Sequence, residues 1–191
     1  KRPTAWRILQ EYFRNQNHKN QIHLIHRLDR DASGLLVFAR TWDAYSSLKK
    51  QFFEHTITRQ YAVVVHGMLK PAKGRLEHLL VEDEYSGVVK ITKDLKKGKL
   101  AIMDYEMLES NASKLLSTVR CTLFTGRKHQ IRVQLKAEGH AVCGDPLYGV
   151  ADEAPHRLAL HACRLSFEHP RSGKTASFES PVPGSFGHLL H

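Results

Sequence analysis

The stretch His26–Arg27–Leu28–Asp29–Arg30–Asp31–Ala32–Ser33–Gly34–Leu35–Leu36 sets ionisable and polar side chains directly before an apolar run, with the chain turning at Ser33–Gly34. Loops held by a rigid sheet are where reactive groups gather. A carboxylate placed there, such as Asp29, can act as a nucleophile or as a general base. On residue types alone, the commoner outcome is a solvated turn in which Asp29 and Arg30 pair for little energy.

A second stretch, Thr125–Gly126–Arg127–Lys128–His129–Gln130–Ile131–Arg132, joins an expected strand to an expected helix. Its four potential cations and a free helix N-terminus describe an anion site with donors for phosphate. The plainer reading is a basic surface turn. A third element, Arg59–Gln60–Tyr61, puts an aromatic ring next to a cation at a strand entrance. A tyrosine in that place is usually core packing with its hydroxyl at the rim.

Metal chemistry finds little support. His23, His26, His129, His140, His156 and His161 follow no ligand spacing. Cys121, Cys143 and Cys163 lack the close pairing of structural zinc or of a disulfide framework. Three inert thiols in a reducing compartment is the economical reading. Asp145, in Gly144–Asp145–Pro146, reads as a turn-builder.

The elements that must position these groups are legible in outline. Thr4 to Phe13 reads as a short helix presenting Trp6, Leu9 and Phe13, and Asn15 to Gln21 as loop. Leu35–Leu36–Val37–Phe38 suits a buried strand. Thr41 caps the next helix, on which Ala44, Leu48 and Phe52 share a face. Tyr61–Ala62–Val63–Val64–Val65, ended by Gly67, is a central strand. From Pro71 to Lys99 the pattern weakens, with Lys93–Lys99 as an exposed basic loop. Strands follow near Ala101–Leu108 and Leu116–Phe124, then a helix over Ile131–Glu138 stopped by Gly139. Arg164–Glu168 and Thr175–Glu179 read as strands flanking a turn at His169–Gly173. Strands outnumber helices and often follow one another directly, which points to α+β with a large, mixed, mostly antiparallel sheet flanked by helices.

The 191 residues suit one domain, and 29 lysines and arginines against 19 acids give a net charge of +10. That balance favours a polyanionic partner, nucleic acid ahead of anionic membrane. No apolar run approaches the length of a membrane span. The chain opens at Lys1 without a methionine, so it reads as an N-terminally incomplete piece.

Taken together, His26–Arg27–Leu28–Asp29 with Ser33–Gly34–Leu35–Leu36, Arg59–Gln60–Tyr61–Ala62 with Gly67, and Thr125 to Arg132 resemble three successive motifs of the RluA family of RNA pseudouridine synthases. Gly144–Asp145–Pro146–Leu147–Tyr148–Gly149, Arg157–Leu158–Ala159–Leu160–His161–Ala162 and His169–Pro170 continue the resemblance in family order. Ala32 stands where the family commonly has threonine, and the family's upstream strand and lysine–proline turn are not in this sequence. The resemblance implies a pseudouridine synthase fold, with a bent sheet and a central active-site cleft, spanning residues 1–191.

It further implies an isomerase that converts uridine to pseudouridine in ribosomal or transfer RNA, ribosomal RNA favoured, without cofactor or metal. Asp29 would be the essential carboxylate and Arg132 its companion, and Ile131 would be an apolar wall. Tyr61 would lie against the target base, stacking rather than moving a proton. The target must leave its stack to react; Arg27, with His26 beside it, would fill the gap. Arg127 and Lys128 would hold phosphates, and Gln130 joins the same substrate-binding loop. A cytoplasmic, monomeric enzyme is the resulting expectation. The alternative from another class is an RNA-binding or RNA-chaperone module that keeps the fold.

Overall fold

Threonines open the first two helices. In the computed structural model, which describes residues 3–16, 21–150 and 157–190, Thr4 accepts a hydrogen bond from the Arg7 amide at the start of α1 (Ala5–Asn15). Thr41 does the same for Ala44, satisfying amide groups that have no partner inside a helix. Short strands β1 (His23–Leu24), β2 (Ser33–Gly34) and β3 (Phe38–Ala39) precede α2 (Trp42–Phe53). A run of long strands follows: β4 (Thr58–His66), β5 (Lys73–Glu82), β6 (Val89–Thr92), β7 (Lys99–Asn111) and β8 (Leu116–Leu123). Helix α3 (Gln130–Ala137), β9 (Leu160–Glu168), β10 (Thr175–Glu179) and α4 (Gly184–Leu190) complete the chain. His156 and residues 17–20, expected as loop, lie outside the described residues.

The fold is α+β. Among the described residues the main sheet runs β10-β9-β4-β8-β7-β5-β6, with β2 added beside β9. The β4–β8, β8–β7, β7–β5 and β5–β6 pairs are antiparallel. The β2–β9 pair is parallel and sets Ser33 opposite His161 and Gly34 opposite Ala162. A separate two-stranded antiparallel ladder joins β1 to β3.

The chain divides into two compact units. The first comprises residues 1–28, 36–57 and 166–177, hence α1, the β1–β3 ladder and α2. In it the Trp6 indole donates to Ile22 O (2.8 Å) and the Ile22 amide donates to Gln10 Oε1 (3.1 Å), which ties α1 to the segment entering β1. Leu48 is the buried side chain of α2. The second unit, residues 29–35, 58–165 and 178–191, holds most of the sheet with α3 and α4. Val63, Val64 and Val65 on β4 are fully buried, as are Val119 and Cys121 on β8 and Met103 on β7. Burying β-branched side chains of this size stabilises by roughly 1.5–3 kcal/mol each. Helix α3 packs on β5 and β6, and buried Gln134 at its centre donates to Leu76 O and Ala101 O, both at 3.2 Å.

Two expectations change. Leu35–Phe38 is not one strand: Ser33–Gly34 pairs with β9, Phe38–Ala39 pairs with β1, and 35–37 carries no ladder. The cause is Gly34, whose φ of +109° takes the backbone out of the extended region before the apolar run begins. The weakly patterned stretch after Pro71 contains two full strands, β5 and β6.

Candidate functional site

In the second unit, Asp29 sits just before β2, on a turn closed by the Ala32 amide donating to Asp29 O (3.1 Å). Its loop is fastened to β9. The Leu35 amide donates to Ala162 O (2.9 Å), and Ser33 Oγ lies 2.7 Å from His161 Nδ1. Arg157, which has only protons to give, donates to Ser33 Oγ. His161 Nε2 lies 3.2 Å from Ser180 Oγ. Burial, with Arg157 adding to it, holds His161 below the usual imidazole range against the Ser180 hydrogen bond. Glycine is required at 34: a Cβ there would lie 2.2 Å from Ala162 O.

Helix α3 supplies the counter-charge. Arg132 is 4% exposed at its side chain and donates through Nη1 to Asp29 Oδ2 at 3.1 Å. Through Nε and Nη2 it grips both oxygens of Asp145 at 2.7 Å each. The Asp145 side chain is fully buried, whereas that of Asp29 keeps 18% of its surface exposed. Burial opposes the charge on Arg132, yet the bonds to Asp145 and Asp29 outweigh it and raise its pKa. Asp145 shows the same contest: burial disfavours its charge, but Arg132 and the Leu147 and Tyr148 amides hold its carboxyl below the usual carboxylate range. The guanidinium also lies 5.0 Å from the centre of the Tyr148 ring. One arginine thus links a sealed carboxylate to a second carboxylate that solvent reaches.

Tyr61, on β4, is buried, and the loss of water pushes its hydroxyl up to about 12. Nearby Arg59 opposes that rise and the Asp29 charge adds to it. At neutral pH the ring is therefore a neutral surface bearing an O–H donor. Its neighbour Arg59 donates to Phe124 O (3.3 Å), and a Cβ on residue 126 would lie 2.6 Å from Arg59 Nη1. The glycine of one motif makes room for the arginine of another.

The loop from Thr125 to α3 is closed from inside by Gln130. Its Oε1 accepts from Thr125 Oγ1 (2.8 Å) and the Arg127 amide (3.0 Å), and its Nε2 donates to Ile102 O (3.0 Å). Gln130 and Ile131 are both buried, so the glutamine amide is engaged within the protein rather than presented at a surface. Arg127 is exposed and spends Nε on Leu100 O (2.9 Å). Lys128 pairs with Glu82 and donates to Gly87 O (2.8 Å). His129 starts the helix in the left-handed region, with φ +53°, and shares a 2.9 Å hydrogen bond between Nδ1 and Tyr148 Oη. Burial, together with Arg132 and Lys128, holds its imidazole below the usual range against the pull of Asp29 and Asp145.

His26 and Arg27 belong to the first unit. There His26 Nε2 accepts from the Val37 amide (3.2 Å), and its ring stacks on Phe52 at 4.8 Å between centres. Arg27 is exposed and makes no hydrogen bond or ion pair among the described residues.

Sequence reasoning gave Asp145 a turn-building part, and its Oδ1 does cap the Leu147 and Tyr148 amides (2.9 and 3.0 Å). What it missed is that the same carboxylate anchors Arg132. A usable signal was present: a turn-capping aspartate needs one oxygen, which leaves the other for a cation. Ser33, Arg157 and His161 were likewise quoted within motifs without a role. Among the described residues no group of three or more His, Cys, Asp and Glu is placed to hold a metal ion, and no helix is long and apolar enough to cross a membrane.

The fold, a large mostly antiparallel sheet flanked by helices, is that of a pseudouridylate synthase domain. The human protein RNA Pseudouridylate Synthase Domain Containing 1 superposes with a TM-score of 0.77 over 92% of this chain and 74% of its own, at 27% identity. The family model described as RNA pseudouridylate synthase matches residues 5–137, and the chain belongs to that family. The Ribosomal large subunit pseudouridine synthase D of Neisseria meningitidis is 40% identical over 87% of this chain and 47% of the relative. YlyB of Bacillus subtilis, named an uncharacterized RNA pseudouridine synthase, is 38% identical over 87% of this chain and 54% of the relative. The chain spans about half the length of these curated relatives.

Proposed function

We propose that this chain forms the catalytic part of an enzyme that isomerises uridine to pseudouridine in RNA, with large-subunit ribosomal RNA as the favoured substrate. The observation that carries the reading is the partly exposed carboxylate of Asp29, held at 3.1 Å by an arginine whose other nitrogens are locked on buried Asp145. A merely RNA-binding protein gains nothing from fixing an ionised aspartate where phosphates approach. The preference for ribosomal RNA rests on the name of the Neisseria relative.

In the reaction the bond from uracil N1 to ribose C1′ breaks, the base turns, C5 bonds to C1′, the hydrogen on C5 leaves as a proton, and N1 gains a proton. Asp29 acts at the ribose, as nucleophile or as base. RNA closing over the site strips water from the carboxylate, and the Arg132 guanidinium keeps it charged and oriented. Tyr61 holds its proton at neutral pH, which supports stacking against the base in preference to accepting a proton. The target uridine leaves its helix to reach this pocket, and exposed Arg27 occupies the gap. Arg127 keeps guanidinium nitrogens beyond its bonded Nε for phosphate. The three cysteines are free thiols, in keeping with action in the cytoplasm.

The test is tritium release from RNA labelled at uracil C5 and prepared from cells lacking the enzyme. The parent chain is expected to release tritium and Asp29→Asn to release none. Release by both variants removes Asp29 from the chemistry. Silence from both, with tight RNA binding and with the flanking parts of the protein restored, favours an RNA-binding module.

A further inference from the structure

The first unit presents a surface that the isomerisation chemistry does not use. Trp42, the first residue of α2, is 65% exposed. Its ring stacks on Tyr45, one helical turn further on, at 4.9 Å and 26°. His23, from β1, meets Trp42 at 5.6 Å and 75° and Tyr45 at 5.5 Å and 49°. Lys49 reaches over Tyr45 with its ammonium 5.8 Å from the ring centre and donates to Ile25 O (3.4 Å). The indole is therefore braced on one face by packed rings while most of its surface stays open. Ordinary packing of a helix onto a neighbouring strand would bury a residue of this size.

The charge of the first unit as a whole points to the ligand. The first unit, roughly a third of the chain, carries 11 lysines and arginines against 4 acids, a balance of +7 out of the total +10. Protein–protein interface cores are depleted in charge, whereas rings interleaved with cations suit a polyanion whose units have π faces. We propose that His23, Trp42, Tyr45 and Lys49 form a stacking platform for an unpaired segment of RNA, with one base on the open face of Trp42 and the backbone near Lys49. Binding there tolerates any base, because every base has a π face. The inference rests on RNA as the partner, as proposed above, but not on isomerisation.

The experiment titrates the chain with oligo(A), which contains no uridine, and with heparin, a polyanion without bases, following tryptophan fluorescence and anisotropy. It uses the parent, Trp42→Ala, Trp42→Phe and Asp29→Asn. Oligo(A) is expected to quench the parent and Asp29→Asn equally, while heparin does not quench. Trp42→Ala weakens oligo(A) binding by ~5- to ~150-fold, and Trp42→Phe, which keeps a ring, recovers most of it. Unchanged melting midpoints show that the variants fold. Equal affinity of Trp42→Ala and parent, or equal quenching by heparin, overturns the platform. Self-association of the parent that Trp42→Ala abolishes also overturns it, and makes the patch a protein interface. Because oligo(A) cannot be isomerised, failure of the enzymatic reading leaves this result untouched.

Discussion

Asp145→Asn separates anchoring from chemistry. Among the described residues, Asp145 Oδ1 accepts from Arg132 Nη2 and from the Leu147 and Tyr148 amides, while Oδ2 accepts only from Arg132 Nε, at 2.7 Å. An asparagine keeping the three bonds to Oδ1 must point its NH2 group at that Nε–H, so two donors face each other in a sealed site. The alternative orientation sets the NH2 group against three donors instead. Breaking a buried ion pair from one side typically costs about 3–5 kcal/mol, a large share of the roughly 5–15 kcal/mol that holds a domain folded. For a chain of this length that lowers the melting midpoint by about 6–20 °C. Asp29→Asn loses one 3.1 Å bond from a group that solvent reaches, so its cost is about 1 kcal/mol or less. Urea unfolding of both variants, followed by single-turnover tritium release, tests the pair. Asp29→Asn should stay folded and inactive. Asp145→Asn should be clearly less stable and about 10²-fold slower where it folds, because Arg132 loses its fixed position. Destabilisation of Asp29→Asn equal to that of Asp145→Asn, or an Asp145→Asn protein within 1 kcal/mol of the parent, would refute the division of labour.

Gly34→Ala should cost several kcal/mol, since φ is +109° and the new methyl meets Ala162 O at 2.2 Å; a urea midpoint near that of the parent would contradict it. His161 has its pKa lowered by burial and Arg157, so its share of stability is present above the unfolded value of about 6.5 and is lost as pH falls through the lower folded value. His161→Gln, which can bond both serines without titrating, should therefore lose less stability than the parent between pH 7.5 and 5.5 (about one unit either side of that value). An identical pH dependence for the two proteins would exclude this contribution from His161. Tyr61→Phe keeps the ring and loses a hydroxyl that is protonated at neutral pH. It should leave the RNA dissociation constant within about two-fold by filter binding, whereas Tyr61→Ala should weaken it about 5-fold or more; equal losses would rule out stacking.

Much of the scaffold was legible because local chemistry and tertiary packing agree. Thr41 caps the helix it was expected to cap, and Thr4, expected inside the first helix, caps it instead. The β-branched run of β4 ends at Gly67, and α3 stops before Gly139, both with φ above +80°. Strand β5 was missed because Leu76 and Leu80, its buried leucines, stand four residues apart with exposed Glu77 and partly buried His78 and Leu79 between them, a spacing that fits a helix face and a strand face equally. Helix α4 was missed because Pro183, Gly184 and Gly187 argue against it. It persists because Phe186 and Leu190 are buried and Asn111 donates to Leu190 O at 2.7 Å. At the site, the pairing of Asp29 with a residue 103 positions later came from the family resemblance, since no local pattern encodes so distant a contact. Resemblance named the ends of the Asp29–Arg132 pair but not Asp145 behind it.

The parallel bridge between β2 and β9 also sets the order in which the site can be made. The Asp29 loop is synthesised before Arg157, His161 and Ala162, more than 120 positions downstream, which fix it. Contacts that close so long a loop form late in folding. A growing chain that has completed β4 to β8 owns most of the sheet and Tyr61, but its Asp29 loop is still untethered. The Asp29 carboxylate is therefore positioned only once the chain has been made as far as Ala162, so a product cut short of β9 carries no assembled Asp29 loop.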